Sequence, residues 1–434
     1  MSDNQTQSDL QKRIIKQARA ARLAAPAIAS SPLEQRNRAL EAMAQALLDH
    51  RGPITEANAL DVADAQKDVA NGSLGAAFVD RLTLSEKRLG SMVSALRELV
   101  AAPDPIGAED QAWMRPNGLR VAKRRIPLGV IGIIYEARPN VTSDAAALCI
   151  KAGNAVVLKG GRRALRSNRA VVHALRQGLE AAGLPADVLQ FIDSPQRQSV
   201  QTLLEQEDYV DLIIPRGGEG LVRYVSQHSR IPVIKHYKGV CHVYLDASAK
   251  AQRSVDIMLN AKVQRPSVCN AAETLLVHTS RADDLLPQVA QALVEAGVTL
   301  HADERAMAAL KGRFGDKCVP ATEDDLYAEY LSLDIAVAVV DGLDEAVAHI
   351  QRYGSEHTEA IVTEDYSNAE AFLNRVNSSV VLVNASTRFS DGGQLGLGAE
   401  IGISTTKLHA FGPMGLKELT TTKFVIRGDG QVRP

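Results

Sequence analysis

One cysteine of this 434-residue chain stands where it could carry out covalent chemistry. Cys269 lies in the polar segment Gln-Arg-Pro-Ser-Val-Cys-Asn-Ala at 264–271, between an amphipathic helical pattern over 251–263 and a β-branched run over 273–278. Pro266 lacks an N–H group and fixes its own φ angle, so it helps to end the helix and to shape the loop. A thiolate is a strong nucleophile, and a loop can present its sulfur to a cleft. We therefore predict that Cys269 is a nucleophile and not an apolar filler of the core.

The other three cysteines have different surroundings. Cys149 falls on an apolar helix face, and Cys241 and Cys318 stand beside apolar strand residues, so we predict that all three are structural. Four widely spaced cysteines without a Cys-x-x-Cys motif are typical of reduced thiols, and not of a disulfide framework or a zinc knuckle. We therefore expect no metal site and a cytoplasmic protein.

The composition excludes several classes of function. Lys and Arg number 49 and Asp and Glu number 51, so no basic excess points to a nucleic acid or an anionic membrane as the partner. Aromatic residues make up 4% of the chain, too few for platforms that stack bases. The polar start has no apolar segment typical of a signal peptide, and no apolar run approaches the roughly 20 residues of a membrane span. The composition is that of a soluble globular protein.

Polar or glycine-rich turns follow three predicted buried strands in the first half of the chain. The turns are 136–140, 159–163 and 215–220, after strands over 129–135, 155–159 and 210–214. The last two turns precede helices, where backbone N–H groups can bind a phosphate. Their spacing is not Gly-x-Gly-x-x-Gly, so the usual dinucleotide fingerprint is absent. Because open parallel sheets bind ligands beyond the carboxyl ends of their strands, we predict a cofactor crevice there.

The elements that must position these residues alternate between strand and helix. Beyond those already named, strands are predicted over 188–192, 233–236, 335–340, 360–363 and 380–383. Continuous apolar strands separated by amphipathic helices predict an α/β protein with parallel sheets covered on both faces. The first hundred residues are predicted to be helical, with capping boxes at 31–34 and 83–86 that open two of the helices.

The chain is long enough for more than one domain. We expect a cofactor-binding domain over 1–236, a catalytic domain over 237–390 that carries Cys269, and a C-terminal segment over 391–434 that returns to the cofactor domain.

Two further strands lack an obvious sheet. Asn117-Gly118 predicts a hairpin turn with positive φ at both residues, in an arm at about 111–126. The other strand is predicted over 421–427. The two strands either pair across subunits, which would make the protein a homo-oligomer, or pack within their own subunit.

Several of these segments resemble the aldehyde dehydrogenase superfamily in their order and spacing. The resemblance is carried by residues 127–132 with Pro139-Asn140, by residues 156–159 and by Cys269. Residues 340–361 and 408–415 resemble the signature of one branch, the reductases of γ-glutamyl phosphate in proline biosynthesis. The resemblance covers nearly the whole chain. It implies an aldehyde dehydrogenase-like α/β fold with two doubly wound parallel-sheet domains and an oligomerisation arm.

The resemblance also implies roles for individual residues. It implies that Cys269 is the nucleophile, and that the side-chain amide of Asn140 and the Cys269 N–H group form the oxyanion hole. The implied cofactor-binding residues are Lys159, Gly160, Arg216, Gly217, Gly218 and Glu329. Among them, Lys159 would bind the adenosine ribose, Gly217 and Gly218 would approach the pyrophosphate, and Glu329 would bind the nicotinamide ribose.

The implied activity is the NADPH-dependent reduction of L-glutamyl 5-phosphate to L-glutamate 5-semialdehyde and phosphate through a thioester on Cys269. Lys159, Arg162 and Arg163 cluster where the ribose 2′-phosphate could lie, which favours NADP over NAD. The candidates for binding the α-carboxylate and the α-amino group of the substrate are Arg138, His357, Asn384 and Arg388. Arg138 or Arg388 would pair with the carboxylate, or either would form only a surface ion pair. Whether glutamate 5-kinase docks to deliver its unstable product stays open.

One departure from the superfamily pattern bears on the mechanism. Hydrolytic members have a glutamate that activates water where this chain has His236, so the resemblance implies that the base is lost; the alternative is a strand-end histidine without a role. A hydrolytic or coenzyme-A-acylating aldehyde dehydrogenase is the second enzyme hypothesis. A catalytically silent structural or regulatory subunit is a hypothesis of another class, and retention of Cys269, Asn140, Lys159 and Glu329 argues against it.

Overall fold

The computed structural model describes residues 2–136 and 138–433, and the chain falls into two compact units. The first unit holds the residues up to Lys235, together with Leu397–Gly402 and the residues from Met414 onward. The second unit holds His236–Gly396 and Ile403–Pro413. Within the described ranges, no helix combines the length and the apolar character that crossing a membrane requires.

The first unit begins with a layer of helices. These are α1 (Ser2–Ala29), α2 (Leu33–Asp49), α3 (Arg51–Ala70), α4 (Ala76–Leu82) and α5 (Glu86–Ala101). Apolar residues recur at helical spacing along α2, so that Leu40, Met43 and Leu47 are fully buried on one face.

The two predicted capping boxes are wrong. α2 begins after Pro32, whose side chain accepts no hydrogen bond, and the Ser31 hydroxyl instead donates to a carbonyl of α1 at 2.7 Å. At α5 the cap is Ser85, whose hydroxyl accepts from the Arg88 N–H at 3.2 Å, while the Thr83 hydroxyl donates to a carbonyl of α4. Each predicted cap therefore serves the end of the preceding helix, because so few residues separate the two helices.

A parallel sheet forms the core of the first unit. The elements that follow α5 are β1 (Glu109–Met114), β2 (Arg120–Pro127), β3 (Val130–Tyr135), α6 (Asn140–Lys151), β4 (Ala155–Lys159), α7 (Leu165–Ala181), β5 (Leu189–Phe191), α8 (Gln198–Leu204), β6 (Leu212–Arg216) and α9 (Glu219–His228). The sheet order is β5-β4-β3-β6, with every strand parallel to its neighbours. The predicted strand over 233–236 is wrong: only Val233 forms an isolated bridge, to Ile213. Pro232 precedes this bridge, and proline cannot donate to a ladder.

The register of this sheet brings the three polar turns together. Ile134 lies opposite Lys159, and Tyr135 lies opposite Arg216, so β4, β3 and β6 end side by side at one edge. The strands are short and apolar up to Lys159 and Arg216 at their ends, and burial on both faces favours such continuous runs. The carboxyl edge predicted from the sequence is therefore present in the first unit.

The two strands without an obvious sheet pair within the chain. β16 (Thr420–Arg427) and β1 flank β2 in an antiparallel sheet of order β1-β2-β16. The alternative in which these strands pack within their own subunit is therefore confirmed. In the turn between β1 and β2 only Gly118 has a positive φ, 84°. The prediction of positive φ at both turn residues is thus wrong for Asn117, whose side chain instead accepts from the Leu119 N–H at 3.3 Å.

A larger parallel sheet forms the core of the second unit. Its elements are β7 (Cys241–Leu245), α10 (Ala251–Val263), β8 (Ala272–His278), α11 (Leu285–Glu295), β9 (Thr299–Ala302), α12 (Glu304–Leu310), β10 (Cys318–Pro320), α13 (Glu323–Leu326), β11 (Asp334–Val340), α14 (Leu343–Tyr353), β12 (Thr358–Val362), α15 (Tyr366–Arg375) and β13 (Val380–Val383). The order is β10-β9-β11-β8-β7-β12-β13, again all parallel. Two short strands, β14 (Gly402–Ser404) and β15 (Gly412–Met414), pair with each other. The α/β class with parallel sheets is confirmed.

The second unit differs from the first in the edge that carries the polar residues. Cys241 begins β7, Cys269 precedes β8, Glu329 precedes β11 and His357 precedes β12. Because the strands are parallel, these positions all lie at the amino edge of the sheet. The carboxyl-edge rule therefore does not describe Cys269, Glu329 and His357.

Candidate active site

Cys269 lies half-buried in the loop that joins α10 to β8. The residue beside it is Gly239, and a Cβ built on Gly239 would overlap the carbonyl oxygen of Cys269. Only glycine allows the two backbones to approach this closely. The structure thus holds the backbone of the predicted nucleophile against a second chain segment.

Cys241 holds the same backbone group from another side. Its fully buried Sγ atom donates a hydrogen bond to the carbonyl oxygen of Cys269 at 3.2 Å. Burial above all, with the charge of Glu359 nearby, raises the pKa of Cys241 well above its usual value, so that it remains a thiol. A thiol can donate where a thiolate cannot.

His357 adjoins this pair of cysteines. Its Nδ1 atom lies 2.8 Å from the Thr358 hydroxyl, which itself donates to the hydroxyl of Ser390. A hydroxyl has a single hydrogen, so Thr358 must accept from the Nδ1–H of His357. Burial, with the nearby His236, lowers the pKa of His357 to about 3, so the ring is neutral and its Nε2 atom is an acceptor. No described residue binds this buried Nε2 atom.

His236 is part of the same cluster. Its ring lies edge-on to that of His357, with 5.9 Å between the centroids. The described residues form no group of three or more His, Cys, Asp or Glu side chains that could hold a metal ion.

Arg388 and Asn270 connect the two sides of the Cys269 loop. The Nε atom of Arg388 donates to the Gln264 side chain at 2.8 Å, and its Nη1 atom donates to the Oδ1 atom of Asn270. The Nδ2 atom of Asn270 then donates to the backbone carbonyl of Ser390 at 2.8 Å. The loop is therefore clamped at residues before and after Cys269.

A buried ion pair ties the two elements that flank the loop. Lys262 Nζ, near the end of α10, lies 2.6 Å from Glu273 Oε2, near the start of β8, and neither side chain is exposed to solvent. The other carboxylate oxygen of Glu273 accepts from the Leu331 N–H at 3.2 Å. Glu329, two residues earlier, accepts from the Gly239 N–H at 2.8 Å. Both contacts bring the segment that carries Glu329 to the amino edge.

The structure does not bring Asn384 to this edge. Both atoms of its side-chain amide bind the backbone of Thr363, which follows β12. His357 precedes the same five-residue strand, so about 17 Å of strand lies between the two ends. The amide of Asn384 is thus occupied in holding a turn at the carboxyl edge.

Asn140 and Asp144 form a pair on the first turn of α6 in the first unit. The exposed Asn140 donates through Nδ2 to the Asp144 carboxylate at 3.0 Å. Burial raises the pKa of Asp144 to about 6, against the lowering effect of this hydrogen bond. The pair fixes the rotation of the Asn140 amide. Arg138 is exposed, in the turn just before α6.

Lys159 ends β4 with its side chain almost fully buried. Its Nζ atom donates to the Gly160 carbonyl at 2.7 Å, and burial lowers its pKa to about 8. A Cβ at Gly160 would overlap the side-chain amide of Asn168, so a larger residue here would displace that amide.

A cleft of about 370 Å³ lies beyond this strand end, lined by arginines and aspartates. Arg163 pairs with Asp68 at 2.9 Å, and Arg169 pairs with Asp193 at 2.8 Å. Arg166 pairs with both Asp61 and Asp64. Arg162 is exposed and forms no ion pair with any residue that the structure describes. It is therefore the arginine of this group whose charge is not already matched.

Gly217 and Gly218 lie between β6 and α9, in the turn that Arg216 begins. Gly218 caps α9, and a Cβ there would meet nothing within 4 Å. A Cβ at Gly217 would come within 2.7 Å of Glu136. At Gly218 the turn therefore presents open backbone at the N-terminus of a ten-residue helix, where an anion is favoured.

Sequence reasoning missed several residues that shape the Cys269 loop. Cys241 was predicted to be only structural, and Gly239, Asn270 and Gln264 were given no role. The dipeptide Lys238-Gly239 and the asparagine next to the cysteine carry no local signal, because their partners lie far away in the sequence. The signal in the sequence that could have pointed to this loop is the pair of charged residues that flank it, Lys262 and Glu273, each within an otherwise apolar pattern.

Comparisons with known proteins agree with this architecture. A model of the aldehyde dehydrogenase family matches residues 4–310. Gamma-glutamyl phosphate reductase of Geobacter metallireducens is 55% identical over 413 residues, covering 95% of this chain and 97% of the relative. The protein of the same name from Geotalea daltonii is 54% identical over 422 residues, covering 97% and 98%. The crystal structure of gamma-glutamyl phosphate reductase from Thermotoga maritima gives a TM-score of 0.93 at 42% identity, covering 97% of this chain and all of that one. The chain therefore belongs to the aldehyde dehydrogenase family and, within it, to the gamma-glutamyl phosphate reductases.

Proposed function

We propose that this chain reduces L-glutamyl 5-phosphate to L-glutamate 5-semialdehyde and phosphate, the second step of proline biosynthesis from glutamate, with NADPH as the reductant. The observation that carries the proposal is a half-buried cysteine outside any disulfide, held in a loop of a chain that is 55% identical to a gamma-glutamyl phosphate reductase over 95% of its length. As a member of the aldehyde dehydrogenase family, the protein uses a nicotinamide cofactor.

Cys269 is the proposed nucleophile. Its thiolate attacks the acyl carbon, a C–S bond forms, the C–O bond to phosphate breaks, and phosphate leaves with the electron pair. A thioester remains on Cys269. When bound, the cofactor supplies a hydride. The C–S bond of the resulting thiohemiacetal then breaks, so that the semialdehyde is released and Cys269 regains its thiolate.

The same oxygen carries negative charge in both tetrahedral adducts, the one before phosphate leaves and the thiohemiacetal before its C–S bond breaks. The proposed donors to this oxygen are the Cys269 N–H and the amide of Asn140. Preorganised donors of this kind are worth about 3 kcal/mol each. The hydrogen bond from Asn140 to Asp144 supports the proposal for Asn140, because it limits the rotation of the amide.

Two features of the first unit fit a dinucleotide. The open backbone of Gly218 at the start of α9, next to Gly217, suits a pyrophosphate, and Lys159 at the end of β4 suits a ribose. In the second unit, Glu329 is the proposed partner of the nicotinamide ribose. The amino edge also supplies Arg388 and His357 as proposed contacts for the charged groups of the substrate, together with Arg138. Asn384 is left out because its amide already binds backbone.

Arg162 is the proposed partner of the cofactor's 2′-phosphate. The neighbouring arginines already pair with aspartates, so the Arg162 guanidinium is the one of this group that is available to bind a phosphate. Arg162→Gln should lower the ratio of kcat/KM for NADPH over NADH by about tenfold, one charged contact being worth 1.5–3 kcal/mol. The matched variant Arg163→Gln should change the ratio much less. An unchanged ratio in Arg162→Gln, or NADH preferred by the unaltered protein, would contradict the assignment.

His236 bears on how the thioester is resolved in the oxidative direction. General-base assistance typically contributes about 10²–10⁴-fold, and histidine replaces the glutamate that activates water in hydrolytic relatives. Phosphate arrives as an anion and needs no such base. We therefore expect phosphate, and not water, to release the acyl group.

The test is to mix the protein with NADP⁺ and glutamate semialdehyde and to follow NADPH. Without phosphate we expect a burst of about one equivalent per active site and then near silence, because the thioester accumulates. Adding phosphate should restore turnover, and Cys269→Ala should abolish both phases. Sustained turnover to glutamate without phosphate would mean a hydrolytic aldehyde dehydrogenase. No NADPH under any condition would favour a silent subunit.

The remaining proposals concern the cell. None of the four cysteines forms a disulfide, which fits a reducing cytoplasm. The exposed edges of the β1-β2-β16 sheet fit a homo-oligomer. Docking of glutamate 5-kinase would protect the acyl phosphate from water, and co-sedimentation of the two purified proteins would test it.

A further inference from the structure

Cys241 contacts the predicted nucleophile in a way that its burial alone does not require. The first residue of β7, it is completely shielded from solvent, yet its Sγ atom lies 3.2 Å from the carbonyl oxygen of Cys269, 28 residues away. A buried cysteine usually acts as a small apolar residue. This one has a specific acceptor.

The acceptor can be identified from the neighbouring hydrogen bonds. The other polar atom near the sulfur is Nδ1 of His357, at 3.6 Å. That nitrogen carries a hydrogen, because it must donate to Thr358, whose own hydrogen goes to Ser390. It therefore cannot accept from Cys241. Among the residues that the structure describes, the acceptor left for the thiol hydrogen is the Cys269 carbonyl.

This hydrogen bond restrains the orientation of the Cys269 carbonyl directly. Gly239 packs against the same oxygen but only by van der Waals contact. Asn270 anchors the next residue to Ser390. Rotation of the Cys269–Asn270 peptide would break the hydrogen bond from the thiol. It would also change the direction in which the Cys269 side chain leaves the backbone.

We propose that Cys241 is a positioning residue, whose thiol donates to the Cys269 carbonyl and thereby holds the nucleophile in its reactive orientation. The proposal deepens the proposed function and relies on it only for the role of Cys269. Displacement of a reacting group by about 1 Å can cost up to about 10²-fold in rate. A partial loss of orientation should therefore appear in kcat more than in KM.

The test compares Cys241→Ala, Cys241→Ser and the control Cys318→Ala. Cys318 is also a partly buried thiol outside any disulfide, at the start of a strand of the same sheet, but its sulfur donates to the sulfur of Met307. We expect Cys241→Ala to lower kcat about tenfold with KM for the semialdehyde little changed. Cys241→Ser should recover most of this loss, because its hydroxyl also donates. Cys318→Ala should match the unaltered protein.

A second readout needs no substrate. The rate at which iodoacetamide alkylates Cys269, followed by peptide mass analysis across pH, reports the environment of the sulfur directly. We expect Cys241→Ala to change this rate and its pH profile, and Cys241→Ser to restore them. Thermal unfolding of each variant shows whether the fold is retained. Because alkylation is independent of the reaction, it separates failure of this proposal from failure of the proposed function.

Two results would overturn the proposal. In the first, Cys241→Ala keeps the unaltered kcat and alkylation profile. In the second, the alanine and serine variants are equally impaired and equally destabilised, which would mean that the thiol only fills space.

Discussion

Gly239 shows how one missing side chain can determine the geometry of the loop. Its backbone passes the Cys269 carbonyl where no Cβ fits, while its N–H donates to Glu329. A methyl group there would have to push the loop aside, because the atom it meets is backbone and cannot rotate away. This single position therefore links the nucleophile to the proposed ribose ligand.

We predict that Gly239→Ala removes most of the activity, on the order of 10²-fold, through displacement of Cys269. The overall fold should survive, since the change is confined to a loop edge. Activity and far-ultraviolet circular dichroism measure the two effects. The control is Gly90→Ala in α5, where a Cβ meets nothing within 4 Å. Activity close to normal in Gly239→Ala would show that the loop can move at no cost.

The raised pKa of Asp144 makes the stability of the folded protein depend on pH. Burial raises its pKa to about 6, above the value near 4 of an unfolded aspartate. The folded state thus binds the proton more tightly, and the stabilisation is complete below about pH 4 and lost as the pH rises through about 6. Asp144→Asn stays neutral, so it does not lose this stability.

The free energy of unfolding of Asp144→Asn, relative to the unaltered protein, should therefore increase between about pH 4 and pH 6. Denaturant unfolding at several pH values measures the difference. Asp64 is a control of opposite sign, because hydrogen bonds from Lys67 and Arg166 lower its pKa. A difference for Asp144→Asn that is flat with pH would exclude a raised pKa.

At the scale of elements, the segment that positions Cys269 consists of α10, the Cys269 loop and β8. The helix and the strand are joined at their loop-facing ends by Lys262 and Glu273, both without exposure. Burial raises the pKa of Glu273 and lowers that of Lys262, each toward its neutral form, and the partner's charge opposes the shift. Their pairing holds the two ends of the loop at a fixed separation.

Breaking the ion pair between Lys262 and Glu273 should lower the free energy of unfolding, and the effects of changing the two residues should not be additive. Lys262→Met leaves a carboxylate buried alone and should lower the free energy of unfolding by about 3–5 kcal/mol. The double variant Lys262→Met/Glu273→Leu should lose clearly less than the sum of the two single variants. Urea unfolding of all four proteins gives the coupling free energy. Additive losses would mean that the two charges act independently.

At the scale of the whole molecule, the three-stranded sheet leaves apolar side chains in solvent. Phe424 and Ile426 on β16 are 62% and 59% exposed, and Met114 on β1 is 63% exposed. An antiparallel sheet with bare edges and apolar residues is a surface on which another chain can pair.

We predict that Phe424→Lys/Ile426→Lys lowers the molar mass in sedimentation equilibrium, because two charges would have to be buried in a subunit contact. Leu60→Lys, at a similarly exposed apolar residue on α3, should leave the mass unchanged. If Phe424→Lys/Ile426→Lys and Leu60→Lys both keep the molar mass of the unaltered protein, the subunit contact lies elsewhere. A monomeric unaltered protein would refute the homo-oligomer.

The sequence by itself determined the parts of this protein that depend on neighbouring residues. Apolar runs and helical periodicity located most of the strands and helices, including α10 and β8 around Cys269, because propensity and burial pattern are local properties. The strand ends that carry Lys159 and Arg216 were also predicted, and their meeting at one edge followed from parallel pairing.

Tertiary structure alone decided what depends on residues distant in the chain. It placed the cluster of the second unit at the amino edge of its sheet, and assigned the amide of Asn384 to a turn at the opposite edge. It also gave Cys241 an acceptor 28 residues away and Arg388 a partner 118 residues away. Such contacts follow from the order of strands in a sheet, and no local pattern of residues records that order.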